Sequence, residues 1–140
     1  MTITEYLLQF FRQYSGLSGR IDVDFLADEA ETFSLDTIPC EEVLKRYKGG
    51  STRKQFQFAI SSRRFYDQNI AQNIGNLRLF EELTAWVEQQ SAGRLFPAMD
   101  GGRDPLKIVV TSNAYPFSVT EDGKARYQMQ LRFEYFQKRR

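Results

Sequence analysis

Apolar and polar residues alternate strictly over the last long segment of the chain. Within residues 125–136, Tyr127, Met129, Leu131, Phe133 and Tyr135 fall on one side. Arg126, Gln128, Gln130, Arg132 and Glu134 fall on the other. Side chains alternate across a strand, so this period of two predicts a sheet element with one apolar and one wet side. A different period opens the chain. Ile3, Tyr6, Leu7, Phe10, Phe11 and Tyr14 recur at helical spacing and predict a helix over residues 3–14 that packs on a sheet rather than anchoring in a membrane. Thr2 with Glu5 matches a capping box, and Gly16 follows as a stop. Leu77, Phe80, Leu83, Trp86 and Val87 define the buried side of a second helix over residues 76–90, with Glu81, Glu82 and Glu88 on its wet side.

Between these elements the alternation predicts further strands. Ile21, Val23 and Phe25 alternate with Asp22 and Asp24, then Phe33, Leu35 and Thr37 with Ser34 and Asp36, and Phe56, Phe58 and Ile60 with Gln55, Gln57 and Ala59. Residues 27–31 are expected as an exposed turn, Gly49-Gly50 as a break and residues 96–105 as a loop. Residues 107–111 and 113–120 are expected as two strands, the second irregular around Pro116. Asp122-Gly123 supplies the positive φ angles of a hairpin turn into the final strand. The order is α-β-β-β-α-β-β-β, an α+β fold with a mostly antiparallel sheet. At 140 residues one domain is expected.

Composition narrows the chemistry. The chain has 12 Phe and 7 Tyr, one Cys and no His. Without imidazole the commonest general base and metal ligand are missing, and Cys40 alone makes neither an intrachain disulfide nor a multi-thiolate site. The carboxylate pairs Asp22/Asp24, Glu41/Glu42 and Glu81/Glu82 have no third ligand nearby and read better as solvated faces than as a metal or hydrolase site. Gly49-Gly50-Ser51-Thr52 lacks phosphate-loop spacing, and Ser61 and Ser62 lack a nucleophile elbow. No enzymatic activity, cofactor or metal is expected. With no signal peptide and no apolar run of about 18 residues, a soluble intracellular chain is expected.

Charge is distributed in blocks although the net value is only +1. Residues 21–42 hold Asp22, Asp24, Asp28, Glu29, Glu31, Asp36, Glu41 and Glu42 and no Lys or Arg. Residues 43–64 hold Lys45, Arg46, Lys48, Arg53, Lys54, Arg63 and Arg64 and no acid. Such blocks either meet inside one subunit or give a subunit an acidic and a basic side, able to associate head to tail and close into a ring. As an alternative, the basic 45–64 stretch grips a nucleic-acid backbone. Near-neutrality and the absence of an interleaved aromatic motif argue against that partner.

A set of local signatures then lines up in order: Val23-Asp24-Phe25-Leu26-Ala27, Phe33-Ser34-Leu35, Pro39, Lys45-Arg46-Tyr47-Lys48-Gly49-Gly50-Ser51 and Gln55-Phe56-Gln57-Phe58. Ser62-Arg63, Tyr66-Asp67, Gln72-Asn73-Ile74-Gly75-Asn76, Phe80-Glu81, Trp86, Leu95-Phe96-Pro97-Ala98-Met99 and Tyr127-Gln128-Met129-Gln130-Leu131 complete it. In this order the chain resembles the minor capsid or tail-completion proteins of tailed phages and prophages of Gram-positive bacteria, relatives in architecture of tail terminators. The resemblance implies a virion structural protein, made in the bacterial cytoplasm, with a sheet flanked by helices and no catalytic residues. It also implies self-association into rings, typically hexameric, that contact the tail tube and the head–tail connector. On this reading Lys45, Arg46, Lys48, Arg53 and Lys54 form one assembly face, with Arg63 and Arg64 as lesser contributors, and Asp22, Asp24, Asp28, Glu29 and Glu31 its acidic counterpart. Reversing charge at Arg53 and Lys54 is then expected to weaken assembly and leave thermal unfolding nearly unchanged.

Overall fold

Two strands of 14 residues, β4 (Thr52–Phe65) and β6 (Lys124–Gln137), lie side by side at the centre of a six-stranded sheet. A computed structural model describes residues 1–17, 21–28, 30–66, 70–120 and 122–139. The remaining elements are α1 (Ile3–Phe11), β1 (Ile21–Val23), β2 (Thr32–Ile38), β3 (Val43–Arg46), α2 (Ile70–Ala92) and β5 (Arg103–Val119). Strands are ordered β1-β2-β4-β6-β5, and β3 adds a short pairing to the start of β4. Only β1/β2 is parallel; the other pairings are antiparallel. The protein is therefore α+β with two helices and a mostly antiparallel sheet.

Register puts the apolar halves of the alternating patterns on one face. Leu35 pairs with Ile60, Ile60 with Met129, Phe58 with Leu131 and Phe56 with Phe133. Both helices pack on that face. Tyr6 of α1 stacks on Phe133, Phe11 meets Phe58 edge-on, and Phe80 of α2 stacks on Tyr127. Tyr6, Leu7, Phe10, Phe11, Leu83, Val87, Met129 and Phe133 are all buried in one hydrophobic cluster. Each such side chain contributes roughly 1.5–3 kcal/mol by leaving water. The nine-residue α1 is too short to hold itself together, so this packing is what keeps it helical. Thr2 Oγ1 caps it by accepting from the Glu5 N–H at 3.1 Å.

The order differs from the expected one in two places, each for a physical reason. Residues 43–46 form a strand, giving α-β-β-β-β-α-β-β. Val-Leu-Lys-Arg has no alternation to betray it, because a bulge between Val43 and Lys45 interrupts the pleat. Residues 103–119 form one continuous strand rather than two, starting inside the expected loop. Its register shifts at Val110/Ser112, Ser112/Tyr115 and Pro116/Ser118, and these bulges blur the period of two. Pro116 is tolerated because β5 lies at the sheet edge.

Other boundaries move less. β1 stops at Val23 rather than Phe25 because Asp24 takes φ 52°, and its carboxylate then accepts the Thr37 N–H at 2.7 Å. Ala27, placed by the sequence in an exposed turn, is buried, and its carbonyl accepts from Arg63 Nε at 2.8 Å. α2 begins at Ile70, six residues before the expected start at residue 76. Asn76 anchors that first part: fully buried, it donates to the Phe65 carbonyl at 2.7 Å and accepts from Gln72 at 3.0 Å. Replacing Asn76 by Leu is expected to cost about 1–3 kcal/mol in a urea denaturation series, because the Phe65 carbonyl and the Gln72 amide both lose the partner this buried side chain supplies.

Candidate functional site

Among the described residues, no helix packs on the other face of the sheet. Its residues are the wet halves of the same patterns: Arg53, Gln55, Gln57, Ser61 and Arg63 on β4, and Arg126, Gln128, Gln130, Arg132 and Glu134 on β6. β2 adds Ser34 and Asp36, and β5 adds Lys107, Ser112 and Tyr115. Ser34, Ala59 and Ser61 are buried on this face.

Two ionic clusters organise this face. In the first, Glu134 is 3% exposed and takes cations from three strands. Arg53 reaches its Oε1 with Nη2 at 2.6 Å and Nε at 2.9 Å; Arg132 Nε donates to Oε2 at 3.0 Å; Lys107 Nζ stands 3.7 Å away. Burial alone would push this carboxyl up. The hydrogen bond and charge of Arg53, with Lys107 and Arg132, overcome burial and hold it below its ordinary value. In the second, Asp36 Oδ1 accepts from Ser34 Oγ at 2.6 Å, and Oδ2 accepts from Ser61 Oγ at 2.6 Å and Arg126 Nη2 at 2.9 Å. Ser61 is thus a buried donor to a carboxylate that is itself held by a guanidinium.

Aromatic rings stand at both ends of the face. Tyr47 lies 5.9 Å from Phe136, with Lys45 Nζ 5.2 Å from its ring centre. At the other end Phe117 lies 6.0 Å from Tyr115 and 5.3 Å from the Arg126 guanidinium. Tyr47, Tyr115 and Phe117 are 38%, 47% and 44% exposed.

Strand alternation divides the basic block. Lys45, Arg53 and Arg63 belong to the uncovered face, whereas Lys54 and Arg64 point to the helix side, Lys54 bridging Glu42 at 3.3 Å. Arg46 pairs with Thr52 out of step with Lys45, and Lys48 sits in the β3–β4 turn. The five basic residues singled out in the sequence are therefore not one patch, and Arg53 is engaged inside the subunit.

The acidic candidates also separate. Asp22 shares the uncovered side with Ser34, at the β1 edge. Asp24 is occupied by Thr37, so the two do not form a carboxylate pair on one face. Asp28 is exposed, and its carbonyl accepts from Lys124 at 3.0 Å. Glu31 is exposed, takes φ 64° and donates its N–H to the Arg63 carbonyl at 2.6 Å. Glu29 and Asp67 lie outside the described residues.

Lys107, Tyr115, Phe117 and Phe136 belong to this face but were not singled out in the sequence. Lys107 meets Glu134 across β5 and β6, and Phe136 meets Tyr47 from the far end of the chain, neighbours that no periodicity in the sequence reports. Among the described residues, no group of three or more acidic or thiol side chains is placed to hold a metal. No helix among them is long and apolar enough to cross a membrane. No protein-family model matches the chain, and no curated protein matches it.

Proposed function

We propose that the chain is a virion structural protein of a tailed phage or prophage, tail-terminator-like or a minor capsid protein at the head–tail junction. It acts by protein–protein assembly and carries no catalysis. The observation that supports this reading is that, among the described residues, β1 and β5 are the edge strands at opposite ends of one sheet. β1 runs with β2, and the steps β2/β4, β4/β6 and β6/β5 are all antiparallel, so β1 and β5 run in opposite senses. The β5 edge of one copy can therefore receive the β1 edge of the next as an antiparallel neighbour. Such a contact is heterologous and closes into a ring when the rotation per subunit permits.

Apolar side chains are exposed beside both edges: Val23 and Phe25 at 41% and 62%, and Val119 at 57%. Residues 108–119 of β5 also carry no charge, whereas exposed edges are commonly guarded by charged side chains. Immunogold labelling of particles from an induced lysogen that encodes the chain tests the assignment. Label at the junction of head and tail is expected. Particles that assemble without the protein would rule it out.

A further inference from the structure

We propose that the uncovered sheet face binds single-stranded nucleic acid as an extended strand. The inference does not rest on the virion reading and uses a different surface from the sheet edges. Three observations meet there. The first is charge. Among the described residues, Arg53, Arg63, Lys107, Arg126 and Arg132 share this face with Asp36 and Glu134, both already held by cations; Lys45 stands at one end, and Asp22 and Asp104 lie at the two rims. The surplus is positive, as a phosphate backbone requires.

The second is stacking surface. Exposed rings at both ends, Tyr47 at one and Tyr115 with Phe117 at the other, offer faces on which bases stack whatever their sequence. Lys45 and Arg126 sit beside these rings, so each end pairs a ring with a cation. The third is shape. Gln128, which pairs with Tyr115, and Phe136, which contacts Tyr47, are separated by about 26 Å along β6 at ~3.3 Å per residue. A strand of about four or more nucleotides spans that distance. Between the ring clusters, Gln57 and Gln130 are half-buried amides that can both donate to and accept from base edges. A duplex would reach the phosphate-binding cations but could not lay its bases on the rings.

An acidic protein segment would satisfy the charge but leaves the exposed rings unexplained, so nucleic acid is the occupant argued here. Fluorescence anisotropy with a labelled oligothymidylate of about 20 nucleotides at low salt tests the proposal. Binding is expected to weaken steeply with salt, and Lys107→Gln should reduce the log–log slope by roughly 0.7. Tyr115→Ala and Phe117→Ala should each lower affinity roughly tenfold or more. Ile74→Ala, exposed on the helix side, should leave it unchanged. Because these side chains are half exposed, far-UV circular dichroism should show every variant folded. No binding at low salt overturns the proposal. So does binding that survives loss of the rings, or equal affinity for duplex, since either reports charge alone. Polyglutamate competing as well as the oligonucleotide would instead assign the face to an acidic protein.

Discussion

Arg53→Glu is expected to destabilise the fold by roughly 2 kcal/mol or more, whereas Lys54→Glu should shift stability by no more than about 0.5 kcal/mol. The two residues are adjacent in sequence and carry the same charge, but β4 turns them to opposite faces. Arg53 holds Glu134, which is almost completely buried; Lys54 meets Glu42, whose side chain is 62% exposed. Removing one partner of a buried pair costs about 3–5 kcal/mol. The lower figure applies here because Arg53 is itself 35% exposed and Lys107 and Arg132 remain beside Glu134. Guanidinium denaturation of the two single variants gives both values. Equal, small effects would show that Arg53 is a surface charge like its neighbour.

The same cluster sets an acid limit. Glu134 titrates below its ordinary value of 4.5 in the folded protein. An unfolded chain therefore takes up this proton first, and the stabilisation is complete above about pH 4.5 and lost as pH falls through the folded value. Arg53→Ala should flatten that part of the stability–pH curve. An unchanged acid slope in the variant would remove Glu134 from this role.

Phe10→Ala should lower stability by about 3–5 kcal/mol, the range for a buried aromatic truncated in a core. Phe10 is fully buried and touches Phe11, Trp86 and Phe96 with ring centres 5.0, 4.9 and 5.5 Å away. It thus joins α1 to α2 and to the segment after α2. With that joint gone, α1 loses the contact that offsets the cost of ordering a short helix. Trp86 is the only Trp in the chain, so its fluorescence reports this site directly. A red-shifted native spectrum and a lower denaturation midpoint are expected together. A lower midpoint with the native spectrum unchanged would mean that α1 stays docked.

How far the sequence carried the reading depends on whether the information was periodic. β6 and the apolar side of β4 were legible because an unbroken alternation is stabilised residue by residue against one core. α1 was legible for the same reason at helical period, and its end at Phe11 rather than Tyr14 is only a matter of the last turn. β3 and the unity of β5 were not legible, since bulges shift the period exactly where the chain bends. The uncovered face was half legible. The wet side of β6 was visible, but which cations meet Glu134 depends on strand order, and β5, β6 and β4 are brought together from three separate parts of the chain. The basic block misled in the opposite way: residues contiguous in sequence are distributed over two faces by the pleat. The aromatic interleaving absent from the sequence is present in space, with Tyr47 beside Phe136 and Phe117 beside Arg126.

Sedimentation velocity over a wide concentration range, on wild type and on Phe25→Asp, tests the proposed assembly through sheet edges most directly. Phe25 is 62% exposed beside β1, so the substitution leaves the core intact. The wild type is predicted to form a discrete oligomer that the variant cannot form, with the two unfolding at the same temperature. Wild type and variant sedimenting alike, both as monomers or both as the same oligomer, would contradict it.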